Sequence, residues 1–283
     1  MQTKTLRELL KRADMEGFAV PAFNYSDIWD LSAVIEAAEE EEAPIMVASI
    51  PKVINAISPE ICGAIGLAAM KKASIPLIHH LDHSTEEELC KRAVDNGYPS
   101  VMIDASKLSL EENIRAVSNV VEYAHARGVH VEGELGKIKG RDYEGTYEGD
   151  DFLINVQDAV DLVKATNVDS LAVGIGTAHG FYEGKPEINF KRLSEVNKAV
   201  DIPLVLHGGT GIPEEDVRRA IKEGINKVNV GTAIRYTYIS NVREELIKHG
   251  PNIHTIELMQ IVKEKIKAEA KIWIRVCMAN GKA

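Results

Sequence analysis

Eight short apolar runs, each trailed by a helical pattern, limit what this chain can fold into more than any other feature. They fall at residues 19–24, 44–49, 75–80, 100–104, 129–134, 170–173, 203–206 and 227–230. Short apolar runs read as buried strands, whereas apolar residues at i, i+3 and i+4 read as one face of a helix. Strands that alternate with helices pair in parallel through crossover connections. Eight units with no linker between them predict a closed (β/α)8 barrel, a TIM barrel, filling residues 1–283 as one domain. A doubly wound open sheet is the alternative, but no G-x-G-x-x-G follows the first run.

Helices are predicted over 4–16, 27–42, 59–72, 85–96 (with Ser84 or Thr85 as N-cap) and 110–127. The acidic row Glu39–Glu42 reads as a solvated face. The tail, 253–280, reads as further helix with Ile256, Met259, Ile261, Ile266, Ile272 and Val276 as apolar anchors, for packing or subunit contact. One connection, 136–155, is rich in glycine and charge and has no period, which suits a functional lid or an insert.

A net charge of −10 argues against a broad nucleic-acid surface but leaves room for a locally positive pocket. Cys62, Cys90 and Cys277 form no CxxC pair, which suits a reducing compartment. No signal core and no run of 18 apolar residues occurs, so a cytoplasmic protein without a membrane partner is expected.

In a barrel, the C-terminal strand ends share one site. Here they carry Asn24, Ser49, His80, Asp82, His83, Asp104, Glu132, Glu134, His207 and Asn229, with Gly174–Gly180 after strand six. The stretch His79–Ser84 alone is read equally well as a metal site or as a solvated polar strand end. His83, His179 and His207 from three different units tip that balance, because three protein ligands with one open position make a catalytic zinc site. His79 alternates in direction with His80 and is expected to face the helices; His130 opens strand five at the opposite end, and His125, His249 and His254 are incidental. Gly180, Gly208, Gly209 and Thr210 offer backbone donors for an anion, with Asn229 and Thr232 adding side-chain donors.

The motifs His80-Leu81-Asp82-His83, Val101–Asp104, Glu132–Gly136, Gly176–Gly180, Leu206–Gly209 and Lys227–Val230 occur in one order over nearly the whole chain. In these the sequence resembles the class II, zinc-dependent fructose/tagatose-bisphosphate aldolases. The resemblance implies reversible cleavage of a phosphorylated ketose to dihydroxyacetone phosphate and an aldehyde, through a metal-stabilised enediolate. By it, His83, His179 and His207 hold Zn²⁺, and Asp82 moves the proton of the C4 hydroxyl. Glu134 and Asp104 become supporting or alternate-metal carboxylates, and Gly180, Gly208, Thr210, Asn229 and Thr232 bind phosphate. His80 would orient Asp82 or the substrate. A second divalent or a monovalent cation and a homodimer or homotetramer also fit the family.

The chain departs from the family at the lid, where Asp142 falls at the position of a proton-shuttling glutamate and Glu144 lies two residues on. It departs again after strand eight, where Gly231 and Ala233 replace two aspartates typical of fructose-bisphosphate enzymes. The substrate expected is therefore a ketose 1-phosphate or 1,6-bisphosphate other than, or in addition to, fructose 1,6-bisphosphate. Ser49 and Lys52 lie where the far end of the sugar should reach, with Lys52 either meeting a second anion or solvated. Two other readings remain at this point, a metal-dependent epimerase or isomerase and a non-catalytic sugar-phosphate binder.

Overall fold

The computed structural model describes residues 3–136, 139–140, 152–182, 184 and 186–283. Eight parallel strands close into a barrel: β1 (Val20–Asn24), β2 (Ile45–Ser49), β3 (Leu77–Ser84), β4 (Ser100–Ile103), β5 (His130–Leu135), β7 (Ser170–Val173), β9 (Leu204–Leu206) and β10 (Ile225–Val230). β10 pairs with β1 to complete the ring. A second, two-stranded sheet pairs β6 (Lys139–Gly140) with β8 (Ala178–His179). The helices are α1 (Thr3–Glu16), α2 (Ile28–Glu40), α3 (Pro51–Ile57), α4 (Pro59–Lys72), α5 (Glu87–Asp95), α6 (Leu110–His125), α7 (Val156–Thr166), α8 (Phe190–Ala199), α9 (Glu214–Lys222), α10 (Thr232–His249) and α11 (Thr255–Val276). No single helix among the described residues is long and apolar enough to cross a membrane.

Four local expectations change. β3 runs on to Ser84 instead of ending at His80, through a register shift between Leu81 and Ser84. α5 starts at Glu87 without a side-chain cap, because the Ser84 hydroxyl accepts from Glu86 N at 3.2 Å within the strand-to-helix turn. α3 was not legible as a helix; Pro51 at its first turn supplies the φ that starts it. The acidic row is not merely solvated. Glu40 pairs with Lys267 at 3.2 Å and with Lys271, and Glu41 pairs with Arg275 at 2.7 Å, tying α2 to α11. Those two lysines hold the Glu40 carboxyl below its usual range. Met259, Ile266 and Val276 of α11 are buried, whereas Ile256, Ile261 and Ile272 are exposed.

At the N-terminal end of the barrel, Asp169 gathers three donors. It accepts from Val131 N at 2.8 Å, meets His125 Nε2 at 2.8 Å and bonds Arg7 of α1. His130 Nε2 reaches Ser170 Oγ beside it at 3.0 Å, so His125 and His130 serve this end and not the site. Burial pushes the Asp169 carboxyl up, but His125, His130, Val131 N–H and Arg7 pull it below the usual range. Asp169→Ala is expected to lower the unfolding free energy by about 2–4 kcal/mol, chiefly through the buried donors left unpaired. A depressed folded pKa gives stability that is complete above the unfolded value near ~4 and lost as pH falls through the folded one. The difference between wild-type and variant melts should therefore shrink as pH drops below about 4; a constant difference would contradict the assignment.

Candidate active site

β3 brings a carboxylate and an imidazole to the rim together. Strand alternation sends His80 and Asp82 inward, and His79 and Leu81 outward. By the same rule His83 should point out, yet its backbone adopts φ +50° and both Asp82 and His83 line one cavity. A left-handed non-glycine residue costs about 1–3 kcal/mol and persists where the surroundings hold it. His83 N is held by Met102 Sδ at 3.3 Å, inside the barrel.

Two amides grip Asp82: Asn24 Nδ2 donates to Oδ2 at 2.8 Å and Asn229 Nδ2 to Oδ1 at 2.9 Å. Burial raises this carboxyl, but His83, His207, Lys227 and His80 outweigh burial and leave it well below the ordinary carboxylate range. It is an ionised base with its lone pairs aimed by donors.

His83 and His207 come within 2.7 Å through Nε2 and Nδ1, and the His179 ring lies 4.7 Å from that of His83. One nitrogen from each of the three lies within 4.8 Å of the others. Two ring nitrogens that close share a proton or a cation, and three neutral nitrogen donors suit zinc. Burial, then His83, pushes the His207 pKa down, which leaves that ring neutral as a ligand must be. Beside them, His83 Nδ1 lies 3.7 Å from Asp104 and 3.8 Å from Glu134, a second group with metal-ligand spacing. Asp104 is itself oriented by Ser106 N at 3.0 Å and Ser106 Oγ at 2.7 Å.

Across the cavity the two histidine loops are stapled by Tyr182. Its hydroxyl accepts from Ala178 N at 2.8 Å and donates to Gly208 O at 3.1 Å. Gly208 has φ +69°, and a Cβ there would sit 2.2 Å from Ala178 O, so only glycine fits. The α10 N-terminus opens on the same space, and Gly180, Gly208, Gly209, Thr210, Thr232 and Arg235 line it. Backbone N–H groups at a helix start, with the helix dipole behind them, make an anion cradle. Thr210 Oγ1 accepts from Ala233 N at 3.1 Å, which ties that loop to the helix.

The whole cavity is about 610 Å³ and reaches Lys52 on α3 and Lys107 after β4. Ser49 needs correction: it is fully buried and bonded to Tyr98 OH at 2.8 Å, because β2 turns it toward the helices, away from the cavity. Asn24 and Asn229 line the cavity, but their amide groups serve Asp82. His80 is 3.9 Å from Asp82 and bonds Ser100 Oγ at 2.8 Å, so the amides and not His80 orient the carboxylate. Burial, then the Lys227 charge, push His80 down to about 3. His79 faces the helices as expected, bonded to Tyr25 OH at 2.9 Å. Asp142 and Glu144 lie outside the described residues. Sequence reasoning missed Tyr182, Arg235, Lys107 and the pairing of Glu132 with Lys227 behind His207; a tyrosine three residues after His179 was the one visible signal.

The family described as fructose-bisphosphate aldolase class-II matches residues 4–282. A fructose-bisphosphate aldolase of Geobacillus stearothermophilus is 37% identical over 287 residues, covering 100% of this chain and 99% of the relative. Among solved structures, the YdjI aldolase of Escherichia coli K12 superposes with a TM-score of 0.85 at 31% identity, covering 98% of each chain. A putative fructose-1,6-biphosphate aldolase of Coccidioides immitis gives 0.90 at 30% identity, covering 97% of this chain and 96% of that one. A TIM barrel whose strand ends bring an ionised aspartate, three imidazoles and an anion cradle into one cavity, matched along its length by such relatives, belongs to the class II fructose-bisphosphate aldolase family and is a carbon–carbon lyase.

Proposed function

We propose that this chain, as one barrel domain over residues 1–283, catalyses the zinc-dependent, reversible aldol cleavage of a phosphorylated ketose to dihydroxyacetone phosphate and an aldehyde. The observation that carries the reading is Asp82, ionised between two amides and within the same cavity as three converging imidazoles. Asp82 takes the C4 hydroxyl proton as the C3–C4 bond breaks, the C4 carbonyl forms, and the bonding pair passes to C3 and toward the C2 carbonyl. His83, His179 and His207 would hold zinc, which when bound would supply a Lewis acid for this charge. Asp104 and Glu134 support His83 or hold a second divalent cation. Gly180, Gly208, Gly209, Thr210 and Thr232 receive the phosphate, aided by the α10 dipole. Proton return to C3 falls to Asp142 or Glu144 of the 136–155 connection, which lie outside the described residues.

The substrate is a ketose 1-phosphate or 1,6-bisphosphate, tagatose-type included, with Lys52 near its far end. The family, the Geobacillus stearothermophilus relative and the Coccidioides immitis structure carry the fructose-bisphosphate aldolase name, so that sugar heads the test panel. Incubation with each ketose phosphate and identification of the products decides the reaction. Dihydroxyacetone phosphate plus an aldehyde is expected; a rearranged sugar alone would instead make the protein an epimerase or isomerase. A homodimer or homotetramer in the cytoplasm completes the reading, the location supported by three buried free thiols.

Gly231 gives this reading a sharp local test. A Cβ there would lie 2.6 Å from Asn24 Oδ1, so glycine at this position leaves room for the amide that holds Asp82. Gly231→Ala should displace Asn24 and lower kcat by about 10–100-fold with zinc content unchanged. Wild-type kcat in that variant would remove Asn24 from the account.

A further inference from the structure

His207 has a buried partner on the side away from the other imidazoles. Its Nε2 lies 3.0 Å from Glu132 Oε1, and Glu132 Oε2 accepts from Lys227 Nζ at 2.7 Å. Lys227 Nζ also stands 3.4 Å from His80 Nε2, and His80 Nδ1 meets Ser100 Oγ at 2.8 Å. Glu132 comes from β5, Lys227 from β10 and His80 from β3, His207 follows β9 directly, and none of the four is more than 1% exposed.

Barrel closure alone does not call for it. The same interior is filled elsewhere by Met102, Ala172 and Val205, whereas a buried ion pair brings a desolvation penalty of several kcal/mol per ion. Such a pair needs another reason to be there. Its geometry gives one. An ammonium only donates, so Lys227 fixes Oε2 as an acceptor and keeps the carboxylate from turning. Oε1 is then an acceptor held against His207 Nε2, and that nitrogen carries the hydrogen. A neutral imidazole protonated at Nε2 has its lone pair at Nδ1, the atom that faces His83 Nε2. Lys227 donating to His80 leaves His80 protonated at Nδ1, toward Ser100, which takes this fourth histidine out of the ligand set.

We propose that Glu132 and Lys227 are positioning residues for the metal centre: together they lock His207 in the Nε2–H tautomer and ring orientation that offers Nδ1 to the ion. The inference rests on the zinc reading above and goes one layer beyond it. The carboxylate acts through His207 and touches neither substrate nor ion.

The test compares the wild-type protein with the double variant Glu132→Leu/Lys227→Met, which removes both charges with side chains of similar volume. Zinc affinity is measured by competition with a chelator, and metal-free melts are recorded alongside. Metal-free melting within a few degrees of wild type, with zinc bound about 10–100-fold more weakly, is expected. Zinc bound within two-fold of wild type would overturn the proposal. A wild-type protein that binds no zinc would sink the zinc reading itself, and that outcome is separate from the variant ratio. Should the double variant not fold, ¹⁵N spectra of histidine-labelled, metal-free wild-type protein decide, with the His207 signals assigned from His207→Gln. Protonation at Nε2 is expected; protonation at Nδ1 with Nε2 bare would overturn the proposal without reference to zinc.

Discussion

Asp82→Ala is expected to lower kcat for ketose-phosphate cleavage by about 10³-fold while zinc binding stays within a few-fold of wild type. The two halves of that outcome come from different features. The rate falls because no other carboxylate among the described residues is placed between the Asn24 and Asn229 amides, which hold both oxygens of Asp82 at 2.8 and 2.9 Å. Zinc binding persists because the three imidazole nitrogens converge without Asp82, on β3, β8 and the residue after β9. Equilibrium dialysis with zinc and steady-state kinetics on one preparation read both. A variant with near-normal turnover would remove Asp82 as the base. A variant that loses zinc as well would make it part of the metal site.

The converse result is expected for His207→Ala. Loss of one of three ligands should weaken zinc binding by on the order of 10³-fold, about 4 kcal/mol, and turnover should fall with it at limiting zinc. His79→Gln should leave zinc affinity untouched. His79 is as fully buried as His207, but it sits behind β3, bonded to Tyr25 OH and packed over the Tyr98 ring at a centroid distance of 4.0 Å. Burial, with no opposing charge beside it, pushes its pKa down to about 3, so it stays a neutral packing group. Equal zinc losses in the two variants would mean that the ligand assignment is wrong.

Much of this site could be read from residue order because a (β/α)8 barrel turns sequence position into spatial position: whatever follows each apolar run lands on one face. Asp82, His83, His179, His207 and the glycine-flanked cradle are legible for that reason. What was not legible depends on contacts between distant residues or on a single torsion. The left-handed φ of His83 breaks the strand alternation that would otherwise turn the ring outward, and no residue type announces it. Ser49 occupies a strand end like the others, yet the pleat sends it to Tyr98. Asn24 reads as a strand-end site residue and Asn229 as an anion donor, and only their distances to Asp82 show what they hold. Glu132 and Lys227 are 95 positions apart, and a charged pair inside a barrel interior runs against the expectation that such strands are apolar. The acidic row Glu39–Glu42 has an ordinary solvated composition, and its partners on α11 lie more than two hundred residues away.

The most direct measurement is a zinc titration of the metal-stripped protein, followed by cleavage of the best ketose phosphate in the panel. Metal-free protein should produce no dihydroxyacetone phosphate above background, and activity should rise linearly with added zinc and level off at one ion per chain. Undiminished cleavage by the metal-free protein would contradict the claim that His83, His179 and His207 hold the ion on which the reaction depends.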